Sequence, residues 1–188
     1  MDVLPEKLFV IFQNVNEWLK FAEAKNAVLL AFAGTGMTVT VTLLATMQSL
    51  PNSLKMALIV TTSLLCACSF LCGLSFLPTT NLERVLWLRS KKFQANTPMP
   101  SDNLYYFGHL RKYSSNQLLD SINQNYLSNK VSQPYGKESQ DLAAQITVNA
   151  EIAFRKYQLF TYATYCLVTS IIIIPMSILF SLIFFRGL

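Results

Sequence analysis

NAVLLAFAGTGMTVTVTLLATM, residues 26–47, contains no charged side chain, and MALIVTTSLLCACSFLCGLSFL, residues 56–77, contains none either. The charge-free intervals run from 26 to 54, from 56 to 82 and from 157 to 185. A helix crosses the hydrocarbon core of a bilayer with roughly 20 apolar residues. In lipid every backbone N–H and C=O must be matched within the segment, which selects helices. The chain therefore reads as an all-α integral membrane protein with three transmembrane helices, at 26–47, 56–77 and 158–185. The remainder divides into an amphipathic helix at 1–25, a helical region at 78–157 and a tail at 186–188.

Charge sets the orientation. Of 15 Lys and Arg, three precede the first span (Lys7, Lys20, Lys25) and ten lie between the second and third. Lys55 and Arg186 alone fall on the other side. The positive-inside rule places the N-terminus and the central region in the cytoplasm. The C-terminus then faces outward, to the periplasm if the membrane is a bacterial inner membrane. The net charge of +5 follows this topology and implies no nucleic-acid partner. No secretory signal is expected, since MDVLPEKLFV opens with mixed charge.

The chemistry is bounded by what is missing. The sequence holds one histidine, no Walker-type loop, no HExxH and no nucleophile elbow, so no catalytic residue and no metal site is expected. The spans carry no Asp, Glu, Lys, Arg or His, which argues against a proton-coupled transporter or a voltage sensor. The four cysteines, Cys66, Cys68, Cys72 and Cys166, lie in spans and read as packing residues.

Leu8, Phe12, Val15, Leu19 and Ala22 alternate at spacings of four and three, a heptad seam that packs on another helix. That partner is either the central region of the same chain or another subunit. With no Gly or Pro between, this helix should run straight into the first span. There, Gly34, Thr38, Thr42 and Thr46 share one face at i, i+4 spacing. Small residues on a face suit close helix contact; a face lining a water-filled path in a homo-oligomer is the sharper reading. Ser69 and Gly73 repeat the theme in the second span. Pro175 should bend or loosen the third.

In the central region, 81–93 continues the second span as helix, and 94–102 is a loop whose Ser101 or Asp102 caps the next segment. Ser114 or Ser115 caps a helix over 116–129. Pro134-Tyr135-Gly136 is a turn, and an amphipathic helix over 139–156 enters the third span. Tyr105, Tyr106 and Phe107 are suited to stack on a base, and His109, Arg111 and Lys112 to meet a phosphate. Equally, Tyr106 and Phe107 are core, and Arg111 and Lys112 a solvated face. Lys25, Arg155 and Lys156 border the spans as headgroup anchors.

Three motifs in order, WLKFAEAKNAVLLAF at 18–32, LYYFGHL at 104–110 and NAEIAFRKY at 149–157, together with the three spans, give a pattern that resembles the Pycsar effector transmembrane proteins (PycTM) of bacterial anti-phage defence. The likeness covers nearly the whole chain. Glu23, Lys25 and Asn26 match the first motif, Phe107 and Gly108 the second, Arg155 and Lys156 the third. The resemblance implies a multi-pass inner-membrane effector that is not an enzyme. A partner pyrimidine cyclase would supply cyclic CMP or cyclic UMP as the activating ligand, and the response would be loss of membrane integrity and abortive infection. The candidate ligand-binding residues are Tyr106, Phe107, His109 and Arg111. Lys25, Asn26, Arg155 and Lys156 form the membrane-interface motif, and Gly34, Thr38, Thr42 and Thr46 the pore or packing face. A structural membrane adaptor, an effector gated by a cyclic oligonucleotide and a holin-like toxin are the alternatives.

Overall fold

A computed structural model describes residues 3–46, 50–77 and 97–185. The expected helix at 81–93, the start of the loop at 94–96, the end of the first span at Met47 and the tail at 186–188 lie outside the described residues. Among the described residues there are five helices and no strand: α1 Val3–Thr46, α2 Asn52–Phe76, α3 Phe107–Leu110, α4 Ser115–Tyr126 and α5 Lys137–Phe185. Segments of α1, α2 and α5 are long and apolar enough to cross a membrane. The chain forms two compact units, one of Met1–Ala22 and Pro78–Tyr157, the other of Glu23–Leu77 and Gln158–Leu188.

The first unit is built on the heptad seam. Leu4, Leu8, Ile11 and Val15 of α1 are buried with Phe107 and Leu110 of α3, Leu118, Leu119 and Ile122 of α4, and Ala143, Ile146, Ala150 and Ala153 of α5. The seam thus finds its partner within the chain. Phe12 and Leu19 sit at its edge, half-buried, and Leu4 and Ile11 take the central positions. Fully buried leucines and isoleucines such as Leu8 and Ile122 each contribute about 1.5–3 kcal/mol. Two asparagine contacts cross this core: Asn149 donates to Asn16 Oδ1 at 2.9 Å, and Asn14 donates to the Tyr105 carbonyl at 2.8 Å.

Helix α4 begins with a capping box, in which the Ser114 hydroxyl accepts from Gln117 N–H while Gln117 Oε1 accepts from Ser114 N–H. It stops at Tyr126, three residues before the expected end, because Ser128 and Asn129 turn left-handed at φ 53° and 59°. Asn123 fixes that turn from inside the helix. Its side-chain amide donates to the Val131 carbonyl at 2.8 Å and accepts from Val131 N–H at 3.2 Å.

The second unit buries Leu29 and Ala33 of α1, Leu65, Cys68 and Cys72 of α2, and Ala163 of α5. Gly36 is the close approach here. A Cβ at that position would lie 3.2 Å from Leu65 Cδ1. Polar contacts join the helices: the Thr62 hydroxyl lies 2.8 Å from Thr40 Oγ1, Thr61 donates to the Ser170 carbonyl at 3.4 Å, and Ser177 donates to the Ser53 carbonyl at 3.3 Å. In lipid such contacts hold helices together that have no hydrophobic reason to associate. Pro175 lies inside α5, which continues to Phe185.

Candidate functional site

Residues 97–115 fold around one carboxylate. Asp102 is only 4% exposed. It receives Lys112 Nζ at 2.7 Å, Met99 N–H at 2.9 Å and the Tyr113 hydroxyl at 3.2 Å. Asp102 therefore ties the loop back on itself and does not cap the following helix, whose first residue follows Tyr106 with no side-chain cap. Lys112, 11% exposed, is consumed by this pair. His109 Nδ1 accepts from Asn103 N–H at 2.9 Å. That bond places the ring proton on Nε2, so the 3.7 Å approach of Nδ1 to Asp102 is not an ion pair.

The aromatic cluster is built on Phe107. Phe107 is buried, stacked on Tyr157 with ring centroids 5.1 Å apart, and its ring lies 5.5 Å from that of Trp18. Tyr106 is 42% exposed and packs on Phe107 and on His109. Its ring crosses Gly108 so closely that a Cβ there would fall 2.5 Å from Tyr106 Cε1. Of the stacking aromatics, Phe107 is core and Tyr106 is the one with surface to offer. Trp18 and Tyr157, which complete the cluster, were not singled out from the sequence. They lie at 18 and 157, far apart in the chain, and only the packing of α1 against α5 in this unit brings them to Phe107.

Arg111 lies 3.6 Å above the Phe154 ring centroid, with one terminal nitrogen 3.7 Å from Glu151 Oε2. Arg155 Nε donates to the other oxygen of Glu151 at 2.8 Å. Arg155 is thus placed in a charge cluster with Arg111. Lys25 Nζ sits 5.4 Å over the Phe160 ring, and Asn26 is fully buried.

The Gly34–Thr38–Thr42–Thr46 face is used differently from the rest of the bundle. Thr38 donates to the Gly34 carbonyl, Thr42 to that of Thr38 and Thr46 to that of Thr42, at 3.0, 2.8 and 2.8 Å. These hydroxyls satisfy themselves on their own helix, and all three threonines are exposed or half-exposed. A Cβ at Gly34 would touch nothing within 4 Å. Contact within the chain runs instead along Gly36 and Thr40, the neighbouring face.

The family model of the Pycsar effector protein domain, PycTM, matches residues 7–184. The chain belongs to the Pycsar effector family. Among the curated proteins, this PycTM member is similar to the Pycsar effector protein RsPycTM of a Rhizobium species, with 29% identity over 147 residues, 77% of each chain. No solved structure matches it. The PycTM match spans both units, so both belong to the common plan of the family.

The ionisable groups around Asp102 make the stability of the first unit depend on pH at both extremes. Burial alone would raise the Asp102 pKa, but the bonds from Lys112, Met99 N–H and Tyr113 outweigh it and hold the carboxyl below its usual value. That contribution is present above the ordinary carboxylate pKa and is lost as pH falls through the lowered one. Burial, and then the Asp102 charge, push Tyr113 up to about 12. Its contribution is full below the unfolded tyrosine value near 10 and is lost as pH rises toward about 12. The thermal midpoint of the first unit should therefore decline at both extremes. Tyr113→Phe should make the alkaline decline between about 10 and 12 shallower, Tyr157, also raised by burial, keeping the remainder, and should leave the acid one; an alkaline limb of unchanged depth would refute the assignment.

Proposed function

We propose that this protein is the membrane-impairing effector of a Pycsar anti-phage system, activated by cyclic CMP or cyclic UMP from a partner pyrimidine cyclase. Activation leads to loss of inner-membrane integrity and abortive infection, with no catalysis by the effector itself. The observation that carries this reading, beside family membership, is helix continuity: α1 and α5 each contribute to both units without a break. A ligand on the first unit can shift an equilibrium only by its differential affinity for two packings. The helices shared by both units are the route by which such a difference would reach the spans.

The surface on the first unit offered to the ligand includes Tyr106 and Arg111. The charge distribution supports a cytoplasmic N-terminus and central region. The outward Gly34–Thr38–Thr42–Thr46 face is the surface through which copies associate and the bilayer opens.

Dye release from liposomes holding the purified protein tests this, titrated with cyclic CMP, cyclic UMP, cyclic AMP and a cyclic dinucleotide. Release with one cyclic pyrimidine nucleotide alone is the expected result. No release with any of them, at verified insertion, would favour an adaptor or a need for a further component. Release with the dinucleotide alone, or without any ligand, would replace the cyclic-pyrimidine signal. Thr38→Leu with Thr42→Leu should leave expression and insertion intact, because both hydroxyls bond only their own helix. The same double variant should abolish release and toxicity; unchanged toxicity would remove this face from the mechanism.

A further inference from the structure

Arg111 is a nearly enclosed cation without a hydrogen bond. Its side chain is 15% exposed, and no hydrogen bond reaches it among the described residues. Its Nε is buried with no partner. The carboxylate beside it, Glu151, stands at 3.7 Å, beyond hydrogen-bonding range. That carboxylate is already bound at 2.8 Å by Arg155 through Nε, which leaves the Arg155 terminal nitrogens outside that bond. A largely enclosed guanidinium whose Nε is buried and unmatched is costly, and proteins place such groups where an oxyanion completes them.

The cation next in sequence is spent: Lys112 is paired with Asp102 at 2.7 Å. The two arginines share one carboxylate, so the cluster carries a net charge of +1. That matches a phosphodiester, which bears one negative charge and presents two oxygens to a guanidinium fork.

We propose that Arg111 and Arg155, steadied by Phe154 and Glu151, form the seat for a monoanionic phosphodiester. In this seat Phe154 fixes the plane of Arg111 by stacking, and Glu151 orients Arg155. Both are positioning residues. A 3′,5′-cyclic nucleotide and a phospholipid headgroup both present this group. The assignment of the nucleotide as its source rests on the function proposed above; the seat itself does not.

The test uses the full chain in detergent micelles and two probes, the cyclic pyrimidine nucleotides and a short-chain phosphatidylglycerol, titrated by calorimetry. Arg155→Gln removes one fork. Arg111→Lys keeps charge and stem but loses the planar donor set, and so guards against a simple folding fault. Each should weaken cyclic-nucleotide binding by about ten- to a hundred-fold, the range of a charge-assisted hydrogen bond. Lys137→Gln, an exposed change in an ion pair with Asp141, should not. If wild type binds no cyclic nucleotide but both variants weaken phosphatidylglycerol by the same factor, the seat stands and the nucleotide reading falls. If neither variant weakens a phosphodiester that wild type binds, or wild type binds neither probe, the seat is overturned.

Discussion

Replacing Asp102 with Ala is expected to destabilise the first unit strongly while leaving the protein inserted in the membrane. The carboxylate is 4% exposed and serves three donors from one loop. Its removal strands the Lys112 ammonium, itself 11% exposed. Breaking a buried pair from one side costs about 3–5 kcal/mol, because the surviving charge stays desolvated. Whole domains are stable by only about 5–15 kcal/mol, so this loss removes a large share. Circular dichroism against temperature and limited proteolysis of the 97–113 region would read it. Adding Lys112→Met to Asp102→Ala should recover much of the loss, since a well-packed apolar pair often replaces a buried ion pair at little cost. An Asp102→Ala melting curve that overlays the wild-type curve would show that the carboxylate does not organise the loop.

Phe107→Ala comes next in size. The side chain is 5% exposed, and its ring contacts Trp18, Tyr106 and Tyr157. Truncating a buried phenylalanine costs about 3–5 kcal/mol through lost transfer energy and the cavity left behind. The stacked and tilted ring pairs add about 0.5–1.5 kcal/mol each. Loss of a ligand response in this variant would report a loosened core. Tyr106→Ala is the contrasting probe, being 42% exposed and outside the buried cluster. It should cost only about the 0.5–1.5 kcal/mol of its ring pair with Phe107. If Tyr106→Ala abolishes the response with a loss of stability no larger than that, Tyr106 meets the ligand. If Phe107→Ala melts like wild type, the cluster is not the keystone of the unit.

The spans were legible because charge exclusion by lipid acts on every residue of a segment, leaving a signal as long as the helix. The cap of α4 was legible to within one residue, Ser114 or Ser115, because a cap acts on its own first turn; the reciprocal bonds with Gln117 decide for Ser114. The seam on α1 announced its periodicity but not its partner, since spacing states that a face is buried and not against what. Gly36 and Thr40 have the same i, i+4 relation as Gly34 and Thr38, so sequence alone could not choose which face meets α2. The Leu65 contact makes that choice. Asp102 read as a candidate cap for the segment that follows, because its actual role depends on Lys112 and Tyr113 folding back over it. Glu151 and Arg155 stand four apart on one helix and were within reach of inspection. Arg111, forty residues earlier, joins them only through tertiary packing.

Neither unit is a continuous stretch of chain. Each is completed by segments on both sides of the other, and α1 and α5 pass through the divisions after Ala22 and after Tyr157 as uninterrupted helices. A single crossover in the gene therefore cannot trade one unit for a foreign one and keep its companion whole. The two are inherited as a pair. Under the function proposed above, new signal preferences would arise more readily by point substitution within the first unit than by the shuffling of ready-made modules.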